Sequence, residues 1–362
     1  MSQTTALERL HSQQLDRTRL RQPAEVVAWL GAVQAQDYAG AKWSLGLRLP
    51  ATSEAAVERA IEAKTIVRTW AVRGTLHFVA AADVHWLLAL LAPRIIAGCA
   101  RRYRELELDA DTLKRSSRAL ARAVQGGQQP TRTELLATLR KQGISTRGQR
   151  AAYMLQRASL DRLICQGVTR RNNPTYLSLT ETAPEGKLMP RDEAAAELAR
   201  RYFISRGPAT LADFVWWSGL GAAEARAGLE AVKTELVEES RDGEAFWLAG
   251  GAAAGQARAS SRAYLLPGFD EYLLSYRDRS ASLAPVDAKR LKPANGMLNP
   301  TVVLGGRVIG VWKRTFSKGR VVIAVRSFAP LTAGQTRAVA AAARRFGKFL
   351  GMPAVLLEAE IY

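Results

Sequence analysis

Histidine and cysteine are scarce in this chain, with three histidines and two cysteines among 362 residues. His11, His77 and His85 are scattered, and with Cys99 and Cys165 they form no zinc-ligand spacing. Both cysteines lie in apolar stretches that read as helical, which suits reduced, buried thiols of a cytosolic protein better than a disulfide framework. Long apolar runs are missing too. "VHWLLALLAP" is the longest candidate, well short of the ~18 residues a membrane helix needs, and it reads as a core helix. The start, "MSQTTALERL", is polar and has no apolar leader segment. No G-x-x-x-x-G-K-[ST] loop and no G-x-S-x-G elbow occurs, and "GLGAAE" follows a helix-like run instead of a strand. These absences leave no motif for a nucleotide cofactor or a metal, and none is expected.

Negative charge is also in short supply. Lys and Arg number 52 against 33 Asp and Glu, a formal net charge of +19. Two readings fit this excess. Arginine can simply populate solvated faces, or the partner is a polyanion, since guanidinium forks match phosphates and displace their counterions. The arginines are spread along the whole chain and not gathered on one amphipathic helix, which argues against a membrane surface.

The chain repeats one plan three times, giving an α+β reading of tandem winged-helix (helix-turn-helix) modules followed by a C-terminal β-barrel. The clearest unit, 106–185, runs from "SSRALARAVQGG" through "TRTELLATLRKQG", with a capping Thr and a terminal Gly143, to a helix ending near Gly167. The strand–turn–strand "VTRRNNPTYLSL" follows. Helix, helix, helix, hairpin is the order of a winged helix. Unit 186–255 repeats it with "RDEAAAELARRYFISRG", "TLADFVWWSGL", a third helix and "RDGEAFWLAG". Unit 1–105 offers "TALERLHSQQL", a helix "PAEVVAWLGAVQAQ" begun by Pro23, and "SEAAVERAIEA" capped by Ser53. Two strands, "TIVRTWAVRGTLHFV", meet near Arg73-Gly74. Residues 256–362 alternate Val and Ile between Gly-Gly and Asn-Gly turns, as in a small bent sheet or barrel, after a flexible linker "GGAAAGQARASSRA".

The stretch "GAVQAQDYAG" gathers Gln34, Gln36, Asp37 and Tyr38 at what reads as the end of an apolar helix. Amides at a helix C-terminus commonly cap free carbonyls, and the segment alone would favour that reading. Three blocks alter the balance: "VQAQDYAGAKWSLGLRL", "VRTWAVRGTLHFV" and "LLPGFDEYLLSYRDRS…NGMLNPTVVLGGRVIGVWKR". Together, and in this order, they resemble the AlkZ/YcaQ-type family of winged-helix DNA glycosylases over essentially the whole chain. The resemblance implies tandem winged-helix modules and a C-terminal barrel around duplex DNA containing alkylated bases. It implies excision of alkylated purines, and for the AlkZ branch unhooking of interstrand crosslinks. A Gln–nonpolar–Gln motif marks the AlkZ branch and a Gln–Asp ending the YcaQ branch, so Gln34-Ala35-Gln36 falls in the first. It thereby implies that Gln34 and Gln36 are the catalytic pair that positions the attacking water.

The chemistry suits neutral amides. Hydrolysis of an N-glycosidic bond passes through a cationic sugar, and normally wants an acid on the leaving group. A purine alkylated at N7 or N3 already carries the positive charge and leaves neutral. What remains is to aim a water and face a dipole toward the sugar. A glutamine is too weak to expel an undamaged base, which makes it selective. Asp37 is a rival carboxylate, or a turn residue before Gly40. Tyr38 and Trp43 stack on a base or fill the core, and "AKWSLGLRL", apolar at alternate positions, favours the core for Trp43. His77 contacts the lesion or sits satisfied in the interior. Arg73, Arg170, Arg171, Lys313 and Arg314 are candidate phosphate contacts, or solvated charges. Arg277 and Arg279 are either that or a salt-bridge cluster with Asp278. The basic "KRLKP" is a candidate groove probe and Asn295-Gly296 a hairpin turn. A monomeric, cytoplasmic, nucleoid-associated repair enzyme is expected. A non-catalytic winged-helix regulator is the alternative, and a hydrolase of small nucleosides a weaker one.

Overall fold

The computed structural model describes residues 3–184, 188–250, 261–291 and 298–362. The linker 251–260, the end of "KRLKP" and Asn295-Gly296 lie outside the described residues. Helices α1 (Gln3–Ser12) and α2 (Pro23–Leu30) open the chain. Pro23 starts α2, and Glu25 closes a capping box with Gln22. The helix stops at Leu30 because Gly31 takes φ 70°, so the two glutamines are not on a helix. They follow it, with Gln34 on a two-residue strand β1 (Val33–Gln34).

The segment read as alternating, "AKWSLGLRL", is helix α3 (Tyr38–Leu47). It is buried on nearly every side, so apolar residues at alternate positions carry no period that separates strand from helix. Ser53 does cap α4 (Glu54–Glu62), its side chain accepting from Ala56 N. Strands β2 (Ile66–Trp70) and β3 (Leu76–Ala80) form the hairpin, turning at Arg73 (φ 52°) and Gly74 (φ 71°). Helix α5 (Val84–Gly98) is the apolar core helix.

Next come α6 (Ala100–Glu105), α7 (Ala110–Ala123), α8 (Arg132–Lys141) and α9 (Arg150–Leu160), then hairpin β4 (Ile164–Arg170) and β5 (Asn173–Ser178). Thr131 and Glu134 form the capping box of α8. Cys165 lies on β4, not on a helix, and its burial pushes the thiol up to about 12. Both cysteines are free. After α10 (Leu179–Thr182), helices α11 (Arg191–Arg206), α12 (Leu211–Ser218) and α13 (Ala222–Val232) precede hairpin β6 (Leu236–Arg241) and β7 (Glu244–Ala249). The first two hairpins join one five-stranded sheet, ordered β1-β3-β2-β4-β5, in which Arg68 of β2 pairs with Gln166 of β4.

The last part holds β8 (Ala263–Leu266), α14 (Glu271–Leu274), β9 (Thr301–Leu304), β10 (Arg307–Ser317), β11 (Arg320–Ser327), α15 (Ala333–Leu350), β12 (Ala354–Leu356) and β13 (Glu360–Ile361). Its strands run β12-β11-β10-β9-β8, with β13 also on β11, and β8 and β12 do not meet. The expected barrel is therefore an open half-barrel. Helix α15 packs on this sheet, its Phe346 edge-on against Trp312 of β10 in the same core. One hydrophobic core joins the first unit to this sheet, a second joins β2, β3 and α5 to α11–α13, and a third lies within residues 103–176. Among the described residues no helix is long and apolar enough to cross a membrane.

A candidate active site around Gln34 and Gln36

Strand β1 lays Gln34 opposite His77 on β3, and Ala35 N donates to Leu76 O at 2.7 Å. Ala35, between the two glutamines, is fully buried. Gln34 is 7% exposed, and its side-chain amide makes no hydrogen bond to another described residue. Gln36 is exposed, and its Oε1 accepts from Leu76 N at a long 3.4 Å.

Two buried charges hold the backbone between them. Glu271, at the start of α14, accepts the Gln34 N–H at 2.9 Å. Its other oxygen accepts from Arg206 Nη2 (3.0 Å), Trp217 Nε1 (2.9 Å) and Ser275 Oγ (3.1 Å). Burial pushes this carboxyl up, but Arg206, His77 and the donated N–H outweigh it and hold the group down to about 2. From the opposite side, Arg68 donates Nε (3.0 Å) and Nη2 (2.7 Å) to Ala35 O, and Nη2 also lies 3.4 Å from Gln36 O. Its Nη1 donates to Gln166 Oε1 at 2.7 Å, and Gln166 Nε2 donates to Tyr176 OH at 3.0 Å.

Asp37 stands at the N-cap position of α3 without capping it, and a Cβ on Gly40 would come 2.5 Å from its Oδ2. Its carboxylate is half exposed and 4.0 Å from Arg314 Nη2. Tyr38 donates its hydroxyl to Glu58 at 2.6 Å and meets Phe78 edge-on. Trp43 is core: its Nε1 donates to Leu265 O at 2.6 Å and its ring packs on Phe346 and Phe349. His77 is buried. Its Nδ1 bonds Thr75 O at 2.9 Å, an acceptor only, so Nδ1 carries the proton. Burial drives its pKa to about 4, with Arg73 and Arg206 adding to the effect and Glu271 opposing it, so the ring is neutral at pH 7.

Arg73 is half-buried and donates to Trp217 O (2.7 Å) and Trp216 O (3.2 Å), finishing the C-terminus of α12. Arg170 bonds Gln129, while Arg171 sits at the exposed hairpin turn with φ 48°. Arg277 is exposed, and Arg279 donates to Leu273 O at 2.6 Å. Asp278 turns onto Ser280, so the supposed salt-bridge cluster does not form. Lys313 is exposed and Arg314 half-buried on β10. The structure thus brings Gln34, Gln36, Asp37, His77 and Arg314 together, while Arg170 and Arg171 lie on the second hairpin and Arg279 stands near enough to Arg73 to act on its charge.

Sequence reasoning missed Arg68, Gln166, Arg206 and Glu271. A signal existed for Glu271: two adjacent carboxylates lie in the otherwise apolar "GFDEYLL". Asp270 is buried as well, bound by Arg48 through two 2.9 Å bonds.

A sequence model of the family described as "DNA glycosylase AlkZ-like" matches residues 27–349. A Streptomyces sahachiroi protein named "Interstrand DNA cross-link repair glycosylase" is 29% identical over 302 residues, covering 80% of this chain and 81% of that one. The solved Streptomyces sahachiroi DNA glycosylase AlkZ matches with a TM-score of 0.82 and 25% identity, covering 100% of both chains.

Proposed function

Because the chain belongs to the AlkZ-like family of DNA glycosylases, we propose that it excises cationic alkylated purines, N7-alkylguanine and N3-alkyladenine, and unhooks interstrand crosslinks. Gln34 and Gln36 are the pair that aims the attacking water. The carrying observation is the Gln34 amide: nearly buried, fixed to a strand, and without a hydrogen bond to another described residue. Polar groups in that state want a ligand or a water.

The surroundings favour substrates that need no acid. His77 is neutral and Glu271 is ionised and saturated with donors, so neither is ready to protonate a leaving base. A base that already carries its charge removes the need. The carbonyl dipole of Gln34 then faces the charge as it moves to the sugar.

The DNA would be gripped by basic groups on several elements: Arg73, Arg170, Arg171, Arg277, Arg279, Lys313 and Arg314. The three helix-helix-helix-hairpin successions serve as winged-helix modules within units 1–105, 106–185 and 186–255, and 256–362 carries the half-barrel. The protein works as a nucleoid-associated monomer in the cytoplasm. Membership of an enzyme family disfavours the regulator reading. Release of free 7-methylguanine, leaving abasic sites in duplex DNA, tests the proposal; no release by the intact chain overturns it.

A further inference from the structure

Arg68 is a buried cation in an unusual position. It is 7% exposed, and burial pushes its pKa down. Among the described residues no carboxylate lies within 4.0 Å of its guanidinium. Its acceptors are two backbone carbonyls and one amide, and the nearest ring, Tyr38, lies 5.1 Å from Cζ. A desolvated charge with only one carboxylate, Asp37, acting on it from beyond contact distance is poor value for stability, and an apolar side chain of similar volume often packs as well or better. What it does uniquely is geometric. The planar fork takes Ala35 O with two N–H groups, reaches Gln36 O with the second nitrogen, and is locked at Gln166.

We propose that Arg68 is a positioning residue for base excision, clamping the backbone carbonyls of Ala35, between the two glutamines, and of Gln36. This rests on the reading of those glutamines as the water-aiming pair. Strand β1 is two residues long, and past Ala35 the chain leaves the ladder. Beyond the long 3.4 Å bond from Leu76 N to the Gln36 side chain, nothing in the ladder then fixes the peptide plane that carries Gln36. The guanidinium supplies that restraint. Gln166 and Tyr176 brace it in turn, so the second hairpin sets the angle of the first unit's active residues. A lysine cannot replace the fork, because one ammonium on a flexible stem cannot hold Ala35 O, Gln36 O and Gln166 in one plane. A displacement of about 1 Å at a reacting group costs roughly 100-fold in rate.

The experiment measures single-turnover release of 7-methylguanine, DNA affinity and thermal melting for the parent, Arg68→Lys, Arg68→Ala, Tyr176→Phe and Gln34→Ala. We expect Arg68→Lys to lower the rate about 10- to 100-fold with DNA affinity and melting close to the parent. Tyr176→Phe should give a smaller loss of about three- to ten-fold. Guanidinium chloride at tens of millimolar should restore part of the Arg68→Ala rate, beyond sodium chloride at equal ionic strength. Parent-like rates in Arg68→Lys and Tyr176→Phe, beside a slow Gln34→Ala, would overturn this inference alone. A slow Arg68→Lys that also melts early and binds DNA weakly would overturn it as well, since the residue then serves the fold. A parent-like rate in Gln34→Ala with a slow Arg68→Lys would instead remove the reading of the glutamine pair on which it rests.

Discussion

Glu271 and Gln34 lie 237 positions apart, yet the carboxylate of one accepts the backbone N–H of the other at 2.9 Å. Gln34 pairs with His77 on its inner side, so its own N–H points away from the ladder into a buried region. An unsatisfied amide there would cost about 1–3 kcal/mol. The C-terminal part of the chain thus supplies the hydrogen bond that lets a two-residue strand exist at the site.

Substituting the amides should slow chemistry without loosening DNA. Gln34→Ala and Gln36→Ala are each expected to lower single-turnover release of 7-methylguanine at least ten-fold, about 1.4 kcal/mol of barrier. DNA affinity should hold, because in the proposed mechanism the amides act on water and sugar and not on phosphates. Asp37→Asn should cost less than either; a greater loss would make Asp37 the electrostatic catalyst. Gln36→Asp recreates the other branch's ending and should keep activity.

The excision rate should be flat between about pH 6 and 8. His77 titrates near 4 in the folded chain, and the two glutamines do not titrate at all. A rate that changes about ten-fold per pH unit in that window would reveal an acid or base absent from this account.

Acid should unfold the protein in two overlapping stages. His77 has its pKa depressed from 6.5 to about 4, so the unfolded chain binds its proton first and stability falls as pH drops from about 6.5 to 4. Glu271 is depressed from 4.5 to about 2, so its contribution is whole above about 4.5 and is lost as pH falls toward 2. Denaturant titrations at pH 7, 5 and 3.5 should show this fall, and His77→Gln should flatten the upper stage.

Breaking the buried pair should be severe. Arg206→Met leaves Glu271 charged, buried and short of its strongest partner, 3.0 Å away. A loss of about 3–5 kcal/mol is expected by urea unfolding. A loss below about 1 kcal/mol would mean that Trp217 and Ser275 suffice.

Binding to duplex DNA should weaken steeply with salt and depend little on sequence. With net charge +19 and roughly 5 to 10 phosphates neutralised, the log–log slope should be about −0.9 per phosphate. Fluorescence anisotropy from 50 to 200 mM salt measures it.

The element order was largely legible because caps are local. Ser53, Thr131 with Glu134, and Gly143 announce their helix ends in a few residues. The Gln-x-Gln motif was legible only through resemblance, since its segment reads equally as a helix end. Gly31 was the overlooked clue: its φ of 70° ends the helix before the glutamines. Trp43 was assigned to the core for the wrong secondary structure, because α3 is buried all round. Barrel closure was unreadable, since it depends on which distant strands pair, and Arg68 and Arg206 were unreadable because charge alone does not tell buried from solvated.

The core that joins Leu7, Val26 and Trp43 to Tyr264, Val303 and Phe346 has a price in time. A ribosome adding about 5–20 residues per second releases the first unit tens of seconds before α15 emerges. Through that interval the parts of α1, α2 and α3 that meet β8, β9 and α15 are without their native cover. The nascent chain should therefore lean on a holding chaperone, and a pause or truncation before residue 333 should leave an aggregating fragment while the same halves, made without delay, fold together.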